Sequence, residues 1–262
     1  MIHTPYDRIK TARASSRPTG LDYIQNIFPD FMELHGDRQC GDDGAIVAGV
    51  ANLGAVPVTV IAMERGHTAK QRAARNFGSP HPEGYRKALR LMKQAEKFNR
   101  PVLCLIDTSG AYCGVSAEER GQGQAIAENL VEMSTLNVPI LSVLIGEGES
   151  GGALALGVAD RVWMLENAVY SVISPEGCAS ILWKDASKAE QAAKSLKLTA
   201  QDAKELGVID KIISEKELGN KRFYEHLRLM MQSQLSELMR EPNLIQKRYD
   251  RFRKIGANLV EG

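Results

Sequence analysis

Apolar residues recur at different spacings along this chain, and each spacing predicts a different element. Behind Pro82, the positions Tyr85, Ala88, Leu89, Met92 and Ala95 follow at three- and four-residue intervals, which predicts a helix with one buried face. VLCLID (102–107) and VPILSVLIG (138–146) are short, nearly unbroken apolar runs and predict strands buried on both faces. The β-rich runs 45–53 and 56–63 flank Gly54-Ala55 and predict a hairpin. Residues 117–136 carry Ile126, Leu130, Met133 and Leu136 on one helical face, and GGALALGVAD (151–160) reads as a helix after the loop GEGES. RVWMLENAVYSVIS (161–174) predicts a strand pair ending in Ser174-Pro175-Glu176, a cap and first turn. Thr199 caps a short helix that stops at Gly207, before the strand VIDKIIS. Residues 1–43 read as irregular, with short helices near 5–12 and 20–35, and 64–81 as a basic surface loop.

Strand–loop–helix units repeating roughly every 35–40 residues imply parallel strands with crossover helices. The expected architecture is one α/β domain over 1–262, with an irregular N-terminal segment (1–43) and a helical tail (221–262). In the tail, Leu227, Met230, Met231 and Leu235 form one stripe. Composition is ordinary, 44% hydrophobic and 25% charged, and the net charge of +1 supplies no general attraction to nucleic acid or anionic membrane. No apolar run reaches the roughly 18 residues of a membrane span, and the basic N-terminus lacks the apolar core of a signal peptide. A cytoplasmic protein is expected. Cys40, Cys104, Cys113 and Cys178 form no CxxC pair, so reduced thiols and no metal site are expected.

Two glycine-rich stretches carry the candidate chemistry, 109–114 and 146–152, each between a buried strand and a helix. Ligands dock at the ends of strands in such sheets, and a helix start offers unpaired amides. The amides of Gly151 and Gly152 could therefore form an oxyanion hole, or the two glycines could serve close helix–sheet packing. Gly148-Glu149-Ser150-Gly151-Gly152 also matches the nucleophile elbow of hydrolases. However, His226, the histidine downstream, falls within a helical pattern, which favours Ser150 as a helix cap. Glu118 and Glu119 are candidate acid/base groups for hydration of an enoyl thioester, although acids in a first helical turn are also expected from the helix dipole. Glu147 and Glu149 face the same two readings. Arg65, Lys70, Arg72 and Arg75 could meet the phosphates of a CoA-like ligand or form a solvated run.

The segments 75–98, 105–130, 145–189 and 205–213, including PEGYRKALRLM and VISPEGCASILWK, closely resemble the α subunits of bacterial acetyl-CoA carboxylase carboxyltransferase. The resemblance implies a crotonase/Clp-protease-like fold of ββα units. It also implies transfer of CO2 from carboxybiotin, borne by a separate biotin carboxyl carrier protein loaded by biotin carboxylase, to acetyl-CoA, giving malonyl-CoA. A zinc-ribbon β subunit would complete an α2β2 assembly. On this reading the Gly151 and Gly152 amides hold the ureido oxygen of biotin, with Gly110 and Ala111 as second choice and Arg72 and Arg75 as CoA-phosphate ligands. The loop DTSGAYCG has Ser109 and Cys113 where the commoner family form has prolines, so a slightly looser loop is expected. The rivals are an enoyl-CoA hydratase-type enzyme of the same fold, a Ser150 hydrolase and a catalytically silent scaffold.

Overall fold

A computed structural model describes residues 4–257. The chain begins with α1 (Pro5–Ala12), α2 (Gly20–Ile27), β1 (Met32–Glu33), β2 (Ile46–Leu53), β3 (Val56–Met63) and α3 (Ala69–Ala74). It continues through α4 (Pro82–Lys97), β4 (Val102–Thr108), α5 (Val115–Glu119), α6 (Gln122–Thr135), β5 (Ile140–Glu149) and α7 (Ser150–Leu154). Next come β6 (Arg161–Leu165), β7 (Val169–Ser171), α8 (Pro175–Trp183), α9 (Ala189–Ser195) and α10 (Ala200–Glu205). The described chain closes with β8 (Lys211–Ile213), α11 (Lys221–Leu238) and α12 (Leu244–Lys254).

One sheet carries the order β1-β2-β3-β4-β5-β6-β8. The expected hairpin is β2–β3, antiparallel from Ile46↔Met63 to Leu53↔Val56, and the strands from β3 to β8 run parallel. Both apolar runs are buried along their whole length, as β4 and β5. The helix behind Pro82 is α4, and it buries Tyr85, Ala88, Leu89, Met92 and Ala95 as its spacing requires. α4 packs with α6, while α2 packs with α11 through edge-on contacts of Tyr23 with Phe223 and Tyr224. No helix among the described residues is long and apolar enough to cross a membrane.

Several boundaries depart from expectation. GEGES is not a loop: β5 continues to Glu149, and the next residue already opens α7. β6 and β7 do not pair with each other. β6 pairs with β5 over Leu141–Leu144, and β7 takes its place on β5 over Glu147–Glu149. The 117–136 helix is broken into α5 and α6 at Gly121, whose φ of 81° is left-handed. α7 stops at Leu154, well short of 160. Residues 64–81 hold α3, and Arg65 points inward with its side chain 12% exposed. The tail is two helices, interrupted around Pro242, which lacks the N–H a continuous helix needs. Expectations for 1–3 and 258–262 lie outside the described residues.

Candidate functional site

Strand β5 meets α7 with no intervening loop. Glu149 is extended, and Ser150 turns the chain sharply with a φ of 58°. That conformation costs a residue with a Cβ about 1–2 kcal/mol. It brings the first amides of α7, which have no acceptor within their own helix, to the C-terminal edge of the parallel strands. Ser150 does not cap this helix: Glu149 holds the N-cap position, and Ser150 is the first helical residue and exposed.

The two glycines that follow are not equivalent. At Gly151 an added Cβ would meet only Ile126 Cγ2, at 3.7 Å. Gly151 lines a mainly apolar cavity of about 300 Å³ with Ser150, Leu154, Tyr170, Ser171 and Val172. At Gly152 an added Cβ would lie 2.5 Å from Ala111 N and 2.8 Å from Gly110 C, so this position must be glycine for the backbones to touch. Tyr85 Oη, buried on α4, donates to Gly152 O at 3.3 Å. The structure thus brings Gly110, Ala111 and Gly152 together. The Gly110 amide, an expected second-choice donor, is already engaged with Thr108 Oγ1 at 3.0 Å. The loop is anchored despite Ser109 and Cys113: Gln122 Nε2 donates to Pro80 O and Tyr112 O, and the His81 and Tyr112 rings stack at 4.1 Å.

Behind the turn lies a charge cluster that the sequence did not reveal. Glu147 and Glu149 share one face of β5 by strand periodicity, and both are buried. Arg13 Nε bonds Glu147 Oε2 at 2.7 Å, its Nη1 bonds Glu176 Oε1 at 2.8 Å, and its Nη2 lies 3.6 Å from Glu149 Oε1. Arg65 Nε lies 3.2 Å from Asp107 Oδ2, while Asp107 Oδ1 accepts from Glu147 N at 2.9 Å. Arg17 pairs with Glu215 at 2.6 Å and donates to Ile145 O at 2.7 Å. Burial, then repulsion from Glu147, pushes the Glu149 carboxyl up to about 7. Burial likewise pushes Asp107 up to about 6 against the opposing pull of Arg65.

The remaining candidates lie elsewhere. Glu118 and Glu119 are exposed on α5. Arg72 Nε donates to Gly66 O at 3.2 Å and Arg75 Nη1 to Gly44 O at 2.6 Å, so both brace neighbouring backbone. His226 lines a separate groove on α11 with Trp163 and Lys211, so the downstream histidine is not placed to serve Ser150 as the base of a hydrolase triad. Asp37, Cys40 and Glu83 offer ligand atoms within 4.8 Å of one another. Their carboxylates are already met by Arg86 and Arg120, which compete with any cation.

A family model described as acetyl co-enzyme A carboxylase carboxyltransferase-like matches residues 3–256. The chain is 60% identical over 253 residues to the acetyl-coenzyme A carboxylase carboxyl transferase subunit alpha of Ruminiclostridium cellulolyticum, covering 96% of this chain and 97% of that one. It is 58% identical over 257 residues to the protein of the same name from Bacillus cytotoxicus, covering 96% and 79%. In fold it resembles a Pseudomonas malonate decarboxylase hetero-tetramer in complex with coenzyme A, at a TM-score of 0.73 and 18% identity over 93% of this chain and 98% of that one. It also resembles the transcarboxylase 12S hexamer with methylmalonyl-coenzyme A bound, at 0.68 and 21%, over 89% of this chain and 46% of that one. Both likenesses agree with the expected α/β fold.

Proposed function

This chain belongs to the acetyl co-enzyme A carboxylase carboxyltransferase-like family, and on that premise we propose that it is the subunit that receives carboxybiotin. The observation that carries the reading is the family match over 3–256. The enzyme is a carboxyltransferase of acetyl-CoA carboxylase, serving fatty acid synthesis. Its proposed setting is the cytoplasm, and its proposed partners are a zinc-ribbon β subunit in an α2β2 assembly, the biotin carboxyl carrier protein and biotin carboxylase.

The residues at the turn suit biotin. The cavity offers apolar walls at Leu154, Tyr170 and Val172 for a small ring system, next to amides suited to a ureido oxygen. Biotin, when bound, brings the carboxyl group to be transferred. The chain's own part is to hold that oxygen with Gly151 N–H, with Gly152 N–H as second donor, where negative charge gathers as the carboxyl departs. Amides fixed by a helix start are already oriented and cost no reorganisation at that moment. Gly152 and Ala111 set the depth of the turn. Acetyl-CoA lies mainly against the partner, and any contact of Arg72 or Arg75 with its phosphates requires release from Gly66 and Gly44. The placement of His226 away from Ser150 disfavours the hydrolase, and the exposure of Glu118 and Glu119 disfavours the hydratase.

The test is decarboxylation of malonyl-CoA in the presence of free biotin. The isolated chain should be inactive, and adding the β subunit should restore turnover. Activity of the chain alone would overturn the two-subunit reading. Gly152 is unsuitable for probing the amides, because any side chain there meets backbone. Gly151→Pro deletes the amide hydrogen at a first-turn position and should lower turnover about 10²–10³-fold, while Gly151→Ala keeps it. Equal turnover in both would return Gly151 to a packing role.

A further inference from the structure

Arg13, at the C-terminal end of α1, ties β5, which leads into Gly151, to α8, which follows the segment 170–172 that lines the same cavity. Two of its partners, Glu147 and Glu149, stand on β5 immediately before Ser150. The third, Glu176, is in the first turn of α8, just beyond Ser171 and Val172 of the opposite wall. Three carboxylates therefore converge on one guanidinium. The wider cluster adds Asp107 with Arg65 and Glu215 with Arg17, giving five carboxyl groups against three cations. Two protons would balance it, and burial raises two of its carboxyl groups, Glu149 and Asp107.

We propose that Arg13 is a positioning residue for the anion-binding turn: bridging β5 to α8, it sets the width of the Gly151 cavity and keeps uncompensated carboxylate charge away from the amides. This rests on the carboxybiotin reading of that turn. Without Arg13, three like charges face one another. They push the two walls apart and oppose any anion forming at Gly151. Glu149 is the group whose charge matters most. It faces Glu147 on its own strand, Arg13 on α1 and Glu176 on α8.

The experiment uses the chain assembled with its β subunit in the malonyl-CoA and free-biotin assay, with thermal unfolding run in parallel. Arg13→Met should raise KM for biotin about tenfold, with a defect that grows with pH as Glu149 loses its proton, a loss that removing Arg13 moves to higher pH. Arg13→Met/Glu149→Gln should recover most of the loss, because removing a charge repairs what a missing scaffold could not. Arg13→Lys, which keeps the charge but cannot bridge three carboxylates at once, should fall between wild type and Arg13→Met. It carries the same comparison if Arg13→Met fails to assemble. The midpoint of thermal unfolding should follow the same order and the same pH trend whatever the enzyme's activity. A wild-type complex with no decarboxylation would overturn the carboxybiotin reading alone. An active complex in which the substitutions leave KM and its pH trend unchanged, or in which Glu149→Gln gives no rescue, would overturn the role of Arg13.

Discussion

Two arginines at opposite ends of the described chain are held by carboxylates, and they have been put to different uses. Arg248 on α12 is 1% exposed, and its Nε and Nη2 grip both oxygens of Asp160 at 2.9 and 2.8 Å. Its remaining donors go to the carbonyls of Met133, Leu136 and Val138. One cation meets one anion, every donor group is used, and the tail is pinned where α6 hands over to β5. Arg13 is only partly buried and is shared among three carboxylates. The balanced pair is a fastener. The unbalanced cluster keeps the Glu149 and Asp107 carboxyl groups poised near neutrality beside the turn proposed to meet biotin. Perturbed titration gathers where charge is used.

The sharpest break of this contrast is Arg248→Met. It strands Asp160 in the interior and should cost about 3–5 kcal/mol in urea unfolding. A loss below about 1 kcal/mol would mean that the pair is not a fastener. Glu149→Gln should act in the opposite direction. The unfolded chain releases this proton near 4.5 and the folded chain near 7, so wild-type stability falls as pH rises between those values and stays low above them. The glutamine variant lacks that slope and should be more stable than wild type by about 2–3 kcal/mol at pH 8, with the advantage disappearing toward pH 4. A stability difference independent of pH would remove Glu149 from the cluster's titration. Asp107→Asn should show a slightly smaller gain, about 2 kcal/mol at pH 8, because its shift is smaller and the variant gives up the ion pair with Arg65. Its window runs from 3.8 to about 6, and urea midpoints at pH 4 and 8 suffice to check it.

What the sequence revealed follows from how local each signal is. The hairpin, β4, most of β5 and α4 were legible because burial there is written in apolar runs or helical spacing. Residues 147–149 were not, since two glutamates in a strand look like solvated loop until Arg13, 134 residues before Glu147, is seen to cover them. Arg65 was read as a surface charge for the same reason. Ser150 was read as a cap because serine commonly caps helices, but direct entry from β5 leaves it inside the helix with a left-handed backbone. Gly151 and Gly152 look interchangeable as letters. Only the approach of Ala111 separates the packing glycine from the cavity glycine. The break before α12 falls at Pro242, while the apolar stripe of the tail carries no mark of it.

The exchange of β6 for β7 along β5 leaves a gap in the ladder between Leu144 and Glu147, and Arg17 Nε fills it by bonding Ile145 O. A side chain from near the start of the chain thus completes backbone pairing in the middle of the sheet. During synthesis this segment emerges long before the strands it joins, and its partner Glu215 comes later still. It must wait unpaired while the sheet assembles, and it can lock only as a late step. The native pairing at Ile145 thus joins three stretches of chain, around 17, 145 and 215, and is complete only when the third has been made.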